Sequence, residues 1–351
     1  MRLLFLTIPS LPYNPSKHNS IGESLHLTAE SLRRSGVRCD ILAAEGSDPL
    51  EGVIMVPGRL EINFGNKVET LSGIQADGVL ENMLEYCRRH QDDYDFMIAL
   101  GQDYLAYLLQ PYFKTPFLLI PNVCESNEAT DRLLVRRYLE TPDRVGFLSR
   151  SQAACILGDQ ELPGRTVVVW APFDVRQYDH QAEVDDRDIF WAGRIHEVKG
   201  VTEVAKACRA LGKRMLLAGD ISDQDYFDAL IAEPGVEYLG TLDRTAMGLR
   251  MARSPVFFQL QASTWQEAFG RTTAEALLAG CPVIAFKSGA NAELVEQGKD
   301  GFVVDSLDEA IAAYPEALKL DRAQIKARAQ ARFQPQHHTE QLLRWLERLR
   351  G

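Results

Sequence analysis

The chain has 351 residues, of which 46% are hydrophobic and 25% charged, and its formal net charge is −11. This length suffices for two domains, each with its own core, and the acidic balance argues against a nucleic-acid partner. The sequence contains neither a secretory signal nor an apolar run of membrane-spanning length. Its six cysteines lack the spacing of a zinc site or a disulfide framework. We therefore expect a cytoplasmic globular protein without stable membrane insertion.

The N-terminal part predicts a βαβ unit. The apolar run 2–8 predicts a strand buried on both faces, a helix is expected from Glu23 to about Ser35, and residues 38–44 predict the next strand. Gly22 ends the loop before this helix, where a glycine would let the backbone approach a diphosphate. A plain turn residue before a helix explains Gly22 equally well.

Two further apolar runs predict strands that end in polar loops, over 96–100 and 116–121. Because open α/β sheets bind ligands at the carboxyl ends of their strands, the side chains just after these strands are candidates for contact with a ligand. The candidates are Asp103, Tyr104, Asn122 and Glu125. Asp103 has an alternative interpretation as the N-cap of a helix over 104–110, which needs no ligand.

A change of composition marks the expected domain boundary. A strand is predicted from Val167, and the charged, Asp-rich segment 175–188 favours a linker before a second βαβ series. We therefore assign residues 1–172 to a first domain and residues 173–335 to a second. The final residues, 336–351, predict an amphipathic helix.

The second domain opens with a strand and two cations. An apolar strand from Asp188 runs into Gly193, and Arg194 and Lys199 then flank a turn before a helix that starts at Val201. Arginine offers a planar fork and lysine a point charge, and together they can neutralise a diphosphate leaving group. The alternative is a pair of solvated loop cations.

The stretch Glu267-Ala-Phe-Gly-Arg-Thr-Thr-Ala-Glu275 predicts a loop that carries one carboxylate and a helix that carries another. The helix closes at Gly280 and leads to a buried strand from Val283. Backbone N–H groups at its start lack intrahelical partners, so an anion or a set of hydroxyls could satisfy them. Two ordinary surface glutamates are the alternative. Trp265 in the same loop could either line a ligand site or only pack against neighbouring side chains.

Taken in order, these blocks resemble the E-x7-E and G-R-x4-K-G signatures of retaining GT-B glycosyltransferases of family 4. The resemblance covers most of the chain and is closest over 188–304. It implies an α/β fold of two Rossmann-like, doubly wound domains that face a cleft. The first would bind the acceptor and the second the nucleotide sugar, while the C-terminal helix (336–351) would cross back to the first domain.

The resemblance also implies roles for single residues. Arg194 and Lys199 would hold the donor phosphates in place of a metal, and with Glu267, which takes the donor-sugar hydroxyls, they form the implied catalytic set. Glu275 would take the ribose. Further donor contacts are implied at Gly22, Gly193, Gly219, Thr241, Leu242, Phe269, Gly270, Arg271 and Thr272. Many family members have a histidine at the position of Asn122, whose side chain can still donate and accept hydrogen bonds.

The implied activity is retaining, metal-independent transfer of a hexose from a nucleotide sugar, with UDP-glucose as donor and no cofactor. The acidic first domain favours a small soluble acceptor. The arrangement Tyr94-Asp95 with Asp103-Tyr104 resembles glucosyltransferases that act on tetrahydrobiopterin, whose amino-pyrimidine edge Asp103 could bind. Three alternatives stay open: a glycosyltransferase of exopolysaccharide or cell-surface glycan synthesis, a membrane-surface glycosyltransferase, and a catalytically degenerate protein that only binds a nucleotide sugar.

Overall fold

The structure, a computed structural model, describes residues 1–15, 20–61, 77–162, 164–261 and 264–350. Its contacts divide the chain into two units. The first unit is Met1–Phe173 together with Pro335–Gly351, and the second is Asp174–Gln334.

The strands and helices follow the predicted alternation. The strands are β1 (Arg2–Leu6), β2 (Arg38–Ala44), β3 (Val53–Val56), β4 (Phe96–Leu100), β5 (Phe117–Ile120), β6 (Gly146–Phe147), β7 (Val167–Val168), β8 (Asp188–Ala192), β9 (Arg214–Ala218), β10 (Val236–Tyr238), β11 (Phe257–Gln259), β12 (Val283–Phe286) and β13 (Gly301–Val304). The helices are α1 (Ser20–Arg34), α2 (Val79–His90), α3 (Tyr104–Leu109), α4 (Glu128–Glu140), α5 (Arg150–Leu157), α6 (Val201–Ala210), α7 (Gln224–Ile231), α8 (Arg244–Arg253), α9 (Arg271–Leu278), α10 (Asn291–Leu294), α11 (Leu307–Ala317), α12 (Arg322–Phe333) and α13 (Pro335–Arg350).

The first unit is a parallel sheet with helices on both faces. Its strand order is β3-β2-β1-β4-β5, and β6 and β7 form a separate parallel pair. Side chains alternate between the faces: Leu4 and Leu6 pack with residues of α2 to α5, whereas Leu3 and Phe5 pack with residues of α1 and α13. Burial on both faces explains the continuous apolar runs of these strands.

One predicted boundary is wrong and moves a candidate residue. Helix α1 begins at Ser20 rather than at Glu23, so Gly22 lies buried in its first turn instead of in the loop before it. Gly22 is not among the glycines with positive φ. The backbone conformation at this position is therefore open to other residues, and no special turn requires glycine here.

The C-terminal helix α13 packs within the first unit, against α1. The Thr339 hydroxyl donates to the Ser31 hydroxyl at 2.7 Å, and the Trp345 indole N–H donates to the Asp143 carbonyl at 2.6 Å. The buried Trp345 ring also lies close against the backbone at Gly146. These contacts fix the end of the chain on the first sheet.

His338 on α13 makes the stability of the first unit depend on pH. Its Nδ1 lies 2.5 Å from the Trp170 carbonyl and its Nε2 lies 2.9 Å from the Thr28 hydroxyl. Burial lowers the pKa of His338 to about 4, an effect that the bond to Trp170 only partly opposes. In the unfolded chain the pKa of His338 is higher, about 6.5. The contribution of the neutral, buried ring to stability is therefore fully present above pH 6.5 and is lost as the pH falls towards 4.

We expect this loss to be on the order of 1–2 kcal/mol, since the ring is half-buried. Urea unfolding of the wild type and of His338→Asn at pH 7.5 and pH 5 measures it. The asparagine amide can replace the Nδ1–H donor but does not titrate, so the variant should lose less stability on acidification. Equal losses in both proteins would show that His338 is not the titrating group.

The second unit contains two groups of three parallel strands, in the orders β10-β9-β8 and β11-β12-β13. Strand β8 lies beside β11, and helices α9 and α12 pack on each other. The loops that follow β8 and β11 meet at one edge, as shown by the contact of Gly200 with Leu260. Most of the predicted candidate residues of this unit lie in these loops and in α9.

Candidate functional site

The loop after β8 is pressed against the end of β11. It contains a short 3-10 turn, Glu197–Lys199, and Gly200 then begins α6 in the left-handed conformation, with φ of +68°. A Cβ at Gly200 would lie 1.7 Å from the Leu260 carbonyl oxygen. Only glycine permits this approach, which brings Lys199 next to the loop that follows β11.

Lys199, Glu267 and Trp265 form one cluster. The Lys199 ammonium is paired with the Glu267 carboxylate, and both side chains are largely buried, at 14% and 19% exposure. The Lys199 Nζ lies 4.4 Å from the centroid of the Trp265 ring, and the Arg194 guanidinium carbon lies 5.7 Å from it. Both distances are within the range of cation–π attraction. The structure thus brings together the two predicted cations and the first glutamate.

Arg194 differs from Lys199 in its partners. Over the ranges that the structure describes, it has no carboxylate within 4.0 Å, and its recorded contact is the Trp265 indole. A guanidinium that lies on an aromatic ring without a carboxylate partner keeps its donors for an anion. Trp265 therefore contacts both cations. From the sequence alone, this residue could either line a ligand site or only pack against its neighbours.

The backbone that carries Glu267 is held by the segment after β12. The Ala290 N–H donates to the Glu267 carbonyl at 3.1 Å, and the Ser288 hydroxyl donates to the Trp265 carbonyl at 2.7 Å. Gly289, with φ of +53°, approaches so closely that a Cβ there would lie 2.4 Å from the Glu267 nitrogen. The sequence did not indicate these contacts, because Trp265 and Ser288 are 23 residues apart in the chain.

The start of α9 matches the predicted loop-to-helix change. Gly270 occupies the N-cap position with φ of +83°, no side chain caps the helix, and Arg271 is its first residue. Thr272 donates its hydroxyl to the Gln259 side-chain oxygen at 3.2 Å, and Phe269 is buried with its ring 6.0 Å from that of Phe333. A contact of Phe269 with a ligand would therefore have to come from its backbone.

Glu275 is fully buried and has its own cations. Its Oε1 accepts from Arg244 Nη1 at 2.6 Å and lies 3.7 Å from Arg271 Nη2. Its Oε2 is buried without a hydrogen-bond partner. The two glutamates of the motif are thus paired with different cations, and Glu275 is not the solvated surface residue of the alternative interpretation. Arg244 was missed, because no spacing rule connects it with Glu275.

The other donor candidates line the ends of β8 to β10. Gly193 donates its N–H to the Ala218 carbonyl at 3.1 Å, and Gly219 both donates to the Gly240 carbonyl at 3.1 Å and accepts from the Tyr238 hydroxyl at 2.8 Å. The hydroxyl of the exposed Thr241 donates to Asp220 at 2.9 Å, while Leu242 is half-buried. Both the N–H and the carbonyl group of Gly219 therefore form hydrogen bonds within the protein.

The candidates of the first unit follow β4 and β5, as predicted. Gln102 joins the two loops, since its amide accepts from the Asn122 N–H at 3.2 Å and donates to the Val123 carbonyl at 2.8 Å. The Nδ2 of Asn122 is buried and lacks a hydrogen-bond partner. Tyr104 and Glu125 are exposed.

Asp103 stands at the N-cap position of α3 but makes no capping hydrogen bond through its side chain. Burial, and then the nearby Glu61, raise the pKa of Asp103 to about 7. Burial also raises the pKa of Glu61, one of whose oxygens is buried without a hydrogen-bond partner. A carboxyl group that titrates near neutrality suits a functional role better than a capping role. Glu61 was not predicted, because its proximity to Asp103 depends on the tertiary fold.

The described ranges contain no group of three or more His, Cys, Asp or Glu side chains that could hold a metal ion. Among the helices in those same ranges, none combines the length and the apolar character needed to cross a bilayer.

A model of a known protein family matches the second unit. Residues 175–334 match the family model described as glycosyl transferases group 1. The matched residues include Lys199, Glu267 and Glu275.

A shorter similarity exists to one curated protein. Spore coat protein SA of Bacillus subtilis (strain 168) is 38% identical over 47 residues, which are 13% of this chain and 12% of that protein. The matched stretch thus spans a small part of either protein.

Solved structures are similar over 99% of this chain. Sucrose-phosphate synthase from Thermosynechococcus elongatus has a TM-score of 0.77 at 16% identity, with 99% of its own chain covered. AviGT4, a glycosyltransferase involved in avilamycin A biosynthesis, has a TM-score of 0.72 at 19% identity and 97% coverage. Anabaena Alr3699/HepE in complex with UDP-glucose has a TM-score of 0.71 at 18% identity and 100% coverage. These similarities confirm the predicted α/β fold of the GT-B class with Rossmann-like units.

Proposed function

We propose that this chain is a retaining glycosyltransferase of family 4 that moves a hexose from a nucleotide sugar to an acceptor hydroxyl without a metal ion. The observation that carries the proposal is the cluster of Arg194, Lys199 and Glu267 around Trp265. The group 1 family match over the same unit supports it. UDP-glucose is the proposed donor, and Alr3699/HepE, which is similar in fold, is a protein solved with that compound.

The charged side chains of the cluster, which pair with each other, could instead bind the phosphates and hydroxyls of a nucleotide sugar. Without ligand, the Lys199 ammonium is neutralised by Glu267. With a nucleotide sugar, phosphate oxygens would take Lys199 and Arg194, while sugar hydroxyls would donate to Glu267. Two fixed cations would then stabilise the negative charge that develops on the leaving diphosphate, which is the part of the reaction where preorganised charge has its largest effect.

The other donor roles follow the same proposal. Glu275 would take the ribose, and the backbone at Phe269, Gly270, Arg271 and Thr272 would contact sugar and phosphate. For retention we propose a front-face route: the bond from the anomeric carbon to the phosphate oxygen breaks as the acceptor oxygen attacks the same face. The departing phosphate takes the proton of the acceptor hydroxyl, so that UDP and the glycoside are the products.

The proposed acceptor is a small soluble molecule, with tetrahydrobiopterin as the specific candidate. Asp103, Tyr104, Asn122 and Glu125 of the first unit would contact it. The Asp103 carboxylate could accept two N–H donors of an amino-pyrimidine edge, and the unpartnered Nδ2 of Asn122 is a donor for an acceptor oxygen.

A panel of nucleotide sugars tests the donor assignment. A bound donor should raise the melting temperature by mass action, and UDP-glucose should raise it most. UDP release in the presence of tetrahydrobiopterin then tests transfer. Binding of UDP without hydrolysis or transfer to any acceptor would favour a binding protein, and a panel in which no nucleotide sugar stabilises the chain would contradict the proposal.

The raised pKa of Asp103 gives a prediction for acceptor use. Because a carboxyl group with a pKa of about 7 is mainly protonated at pH 6 and mainly ionised at pH 8, the kcat/KM for tetrahydrobiopterin should rise by about tenfold over this range. Asp103→Asn should lower kcat/KM and abolish the rise, whereas the exposed Asp92→Asn should leave it unchanged. A rise that persists in Asp103→Asn would assign the titration to another group.

A further inference from the structure

Glu275 is an unusual carboxylate because its relative exposure is 0%. A buried carboxylate is costly unless cations and hydrogen bonds compensate for its lost hydration. Two arginines lie within 4.0 Å of it in the described ranges, Arg244 from α8 and Arg271 from its own helix α9.

Both arginines lie nearest to the same carboxylate oxygen, Oε1. Arg244 Nη1 donates to Oε1 at 2.6 Å, whereas Arg271 Nη2 lies 3.7 Å from Oε1, beyond hydrogen-bond distance. The second oxygen, Oε2, is buried without a hydrogen-bond partner. Since buried carboxylate oxygens are rarely left unsatisfied, Oε2 has the capacity to accept a hydrogen bond from a ligand hydroxyl.

The position of Arg244 in its helix supports a role other than local stability. It is the first residue of α8, directly after the N-cap Asp243, whose side chain accepts from the Ala246 N–H at 2.7 Å. A cation in the first turn of a helix is unfavourable, because the positive end of the helix dipole is there. The helix α8 therefore gains nothing from the charge of Arg244 at this position, whereas the buried Glu275 carboxylate accepts a hydrogen bond from it.

We propose that Arg244 is a positioning residue for nucleotide recognition: by occupying Oε1 of Glu275 it turns Oε2 towards a ribose hydroxyl of the donor. This inference rests on the proposed function, from which the ribose contact of Glu275 is taken. The new element is that the preference for a ribonucleotide depends on Arg244, which lies on α8 rather than on α9 and need not contact the ligand.

Calorimetric titration with UDP, 2′-deoxy-UDP and 3′-deoxy-UDP tests the inference. The wild type should bind UDP at least about tenfold more tightly than one of the deoxy compounds, because that compound lacks a hydrogen bond to a charged group. In Arg244→Met the affinity for UDP should fall by about tenfold and that for the deoxy compound should change by no more than about twofold. Arg244→Lys should restore part of the discrimination.

Two controls separate positioning from structural damage. Arg250→Met removes an exposed arginine of the same helix and should leave all three affinities unchanged. Arg244→Met leaves a buried carboxylate without its closest cation and can fail to fold, so the double variant Arg244→Met/Glu275→Gln, which removes that charge too, should fold. It should discriminate no better than Glu275→Gln alone.

The outcomes are distinct. A folded Arg244→Met protein that keeps the wild-type ratio of UDP to deoxy-UDP affinity would overturn the role of Arg244, and so would equal weakening of all three ligands. A wild type that binds none of the three would reject the UDP donor itself, and the inference with it. Equal binding of UDP and the deoxy compounds by the wild type would agree with UDP as part of the donor. It would contradict the contact of Glu275 with the ribose, and with it the positioning role of Arg244.

Discussion

Replacement of Lys199 by alanine is expected to lower kcat/KM for the nucleotide sugar by about 10²–10³-fold, as for other losses of one preorganised charge at a leaving group. The substitution removes a cation from the diphosphate and leaves the largely buried Glu267 without its ion-pair partner. It also frees one face of the Trp265 ring. Steady-state kinetics of UDP release measures the effect, and circular dichroism shows whether the fold is kept.

Lys206→Ala is the matched control for this prediction. Lys206 lies on α6, is half exposed, and pairs with Glu203 three residues away on the same helix. Such surface pairs contribute little, so this variant should keep wild-type kinetics. Lys199→Arg retains the positive charge and should be less impaired than Lys199→Ala. If Lys199→Ala kept wild-type kcat/KM, the assignment of Lys199 to the donor phosphates would be wrong.

Replacement of Gly200 by alanine should destabilise the second unit by about 3–5 kcal/mol. The added Cβ would lie 1.7 Å from the Leu260 carbonyl oxygen, and φ of +68° is strained for any residue with a side chain. Because backbone rather than a flexible side chain blocks the space, the loop after β8 has to move. Urea unfolding measures the loss, and donor binding should weaken in parallel since Lys199 moves with the loop.

Gly212→Ala separates the two contributions. Gly212 has nearly the same φ, +67°, but a Cβ there meets nothing within 4 Å. This variant should lose only the cost of the left-handed conformation, about 1–2 kcal/mol. Equal losses in both variants would mean that the contact with Leu260 is not what requires glycine at position 200.

Much of the fold was readable from local sequence. The bounds of β2 and β4 coincide with the predicted apolar runs, β8 begins at the predicted Asp188, and α6 and β12 begin at the predicted residues, Val201 and Val283. Strands buried on both faces need continuous apolar stretches, and glycines mark where helices and strands end, so both signals lie within a few neighbouring residues. The error at Gly22 arose because this glycine was interpreted as the end of the loop, whereas it lies within the first turn of α1.

The sequence by itself determined the order of elements, the two loops with their charged residues, and the motif that indicates glycosyl transfer. Only the tertiary structure decided the partners of those residues: Glu267 with Lys199, 68 residues away, Glu275 with Arg244, 31 residues away, and Asp103 with Glu61. Such pairs form where separate helices and loops pack together. No local pattern of hydrophobicity or spacing encodes them, because each partner satisfies the local rules of its own element without the other.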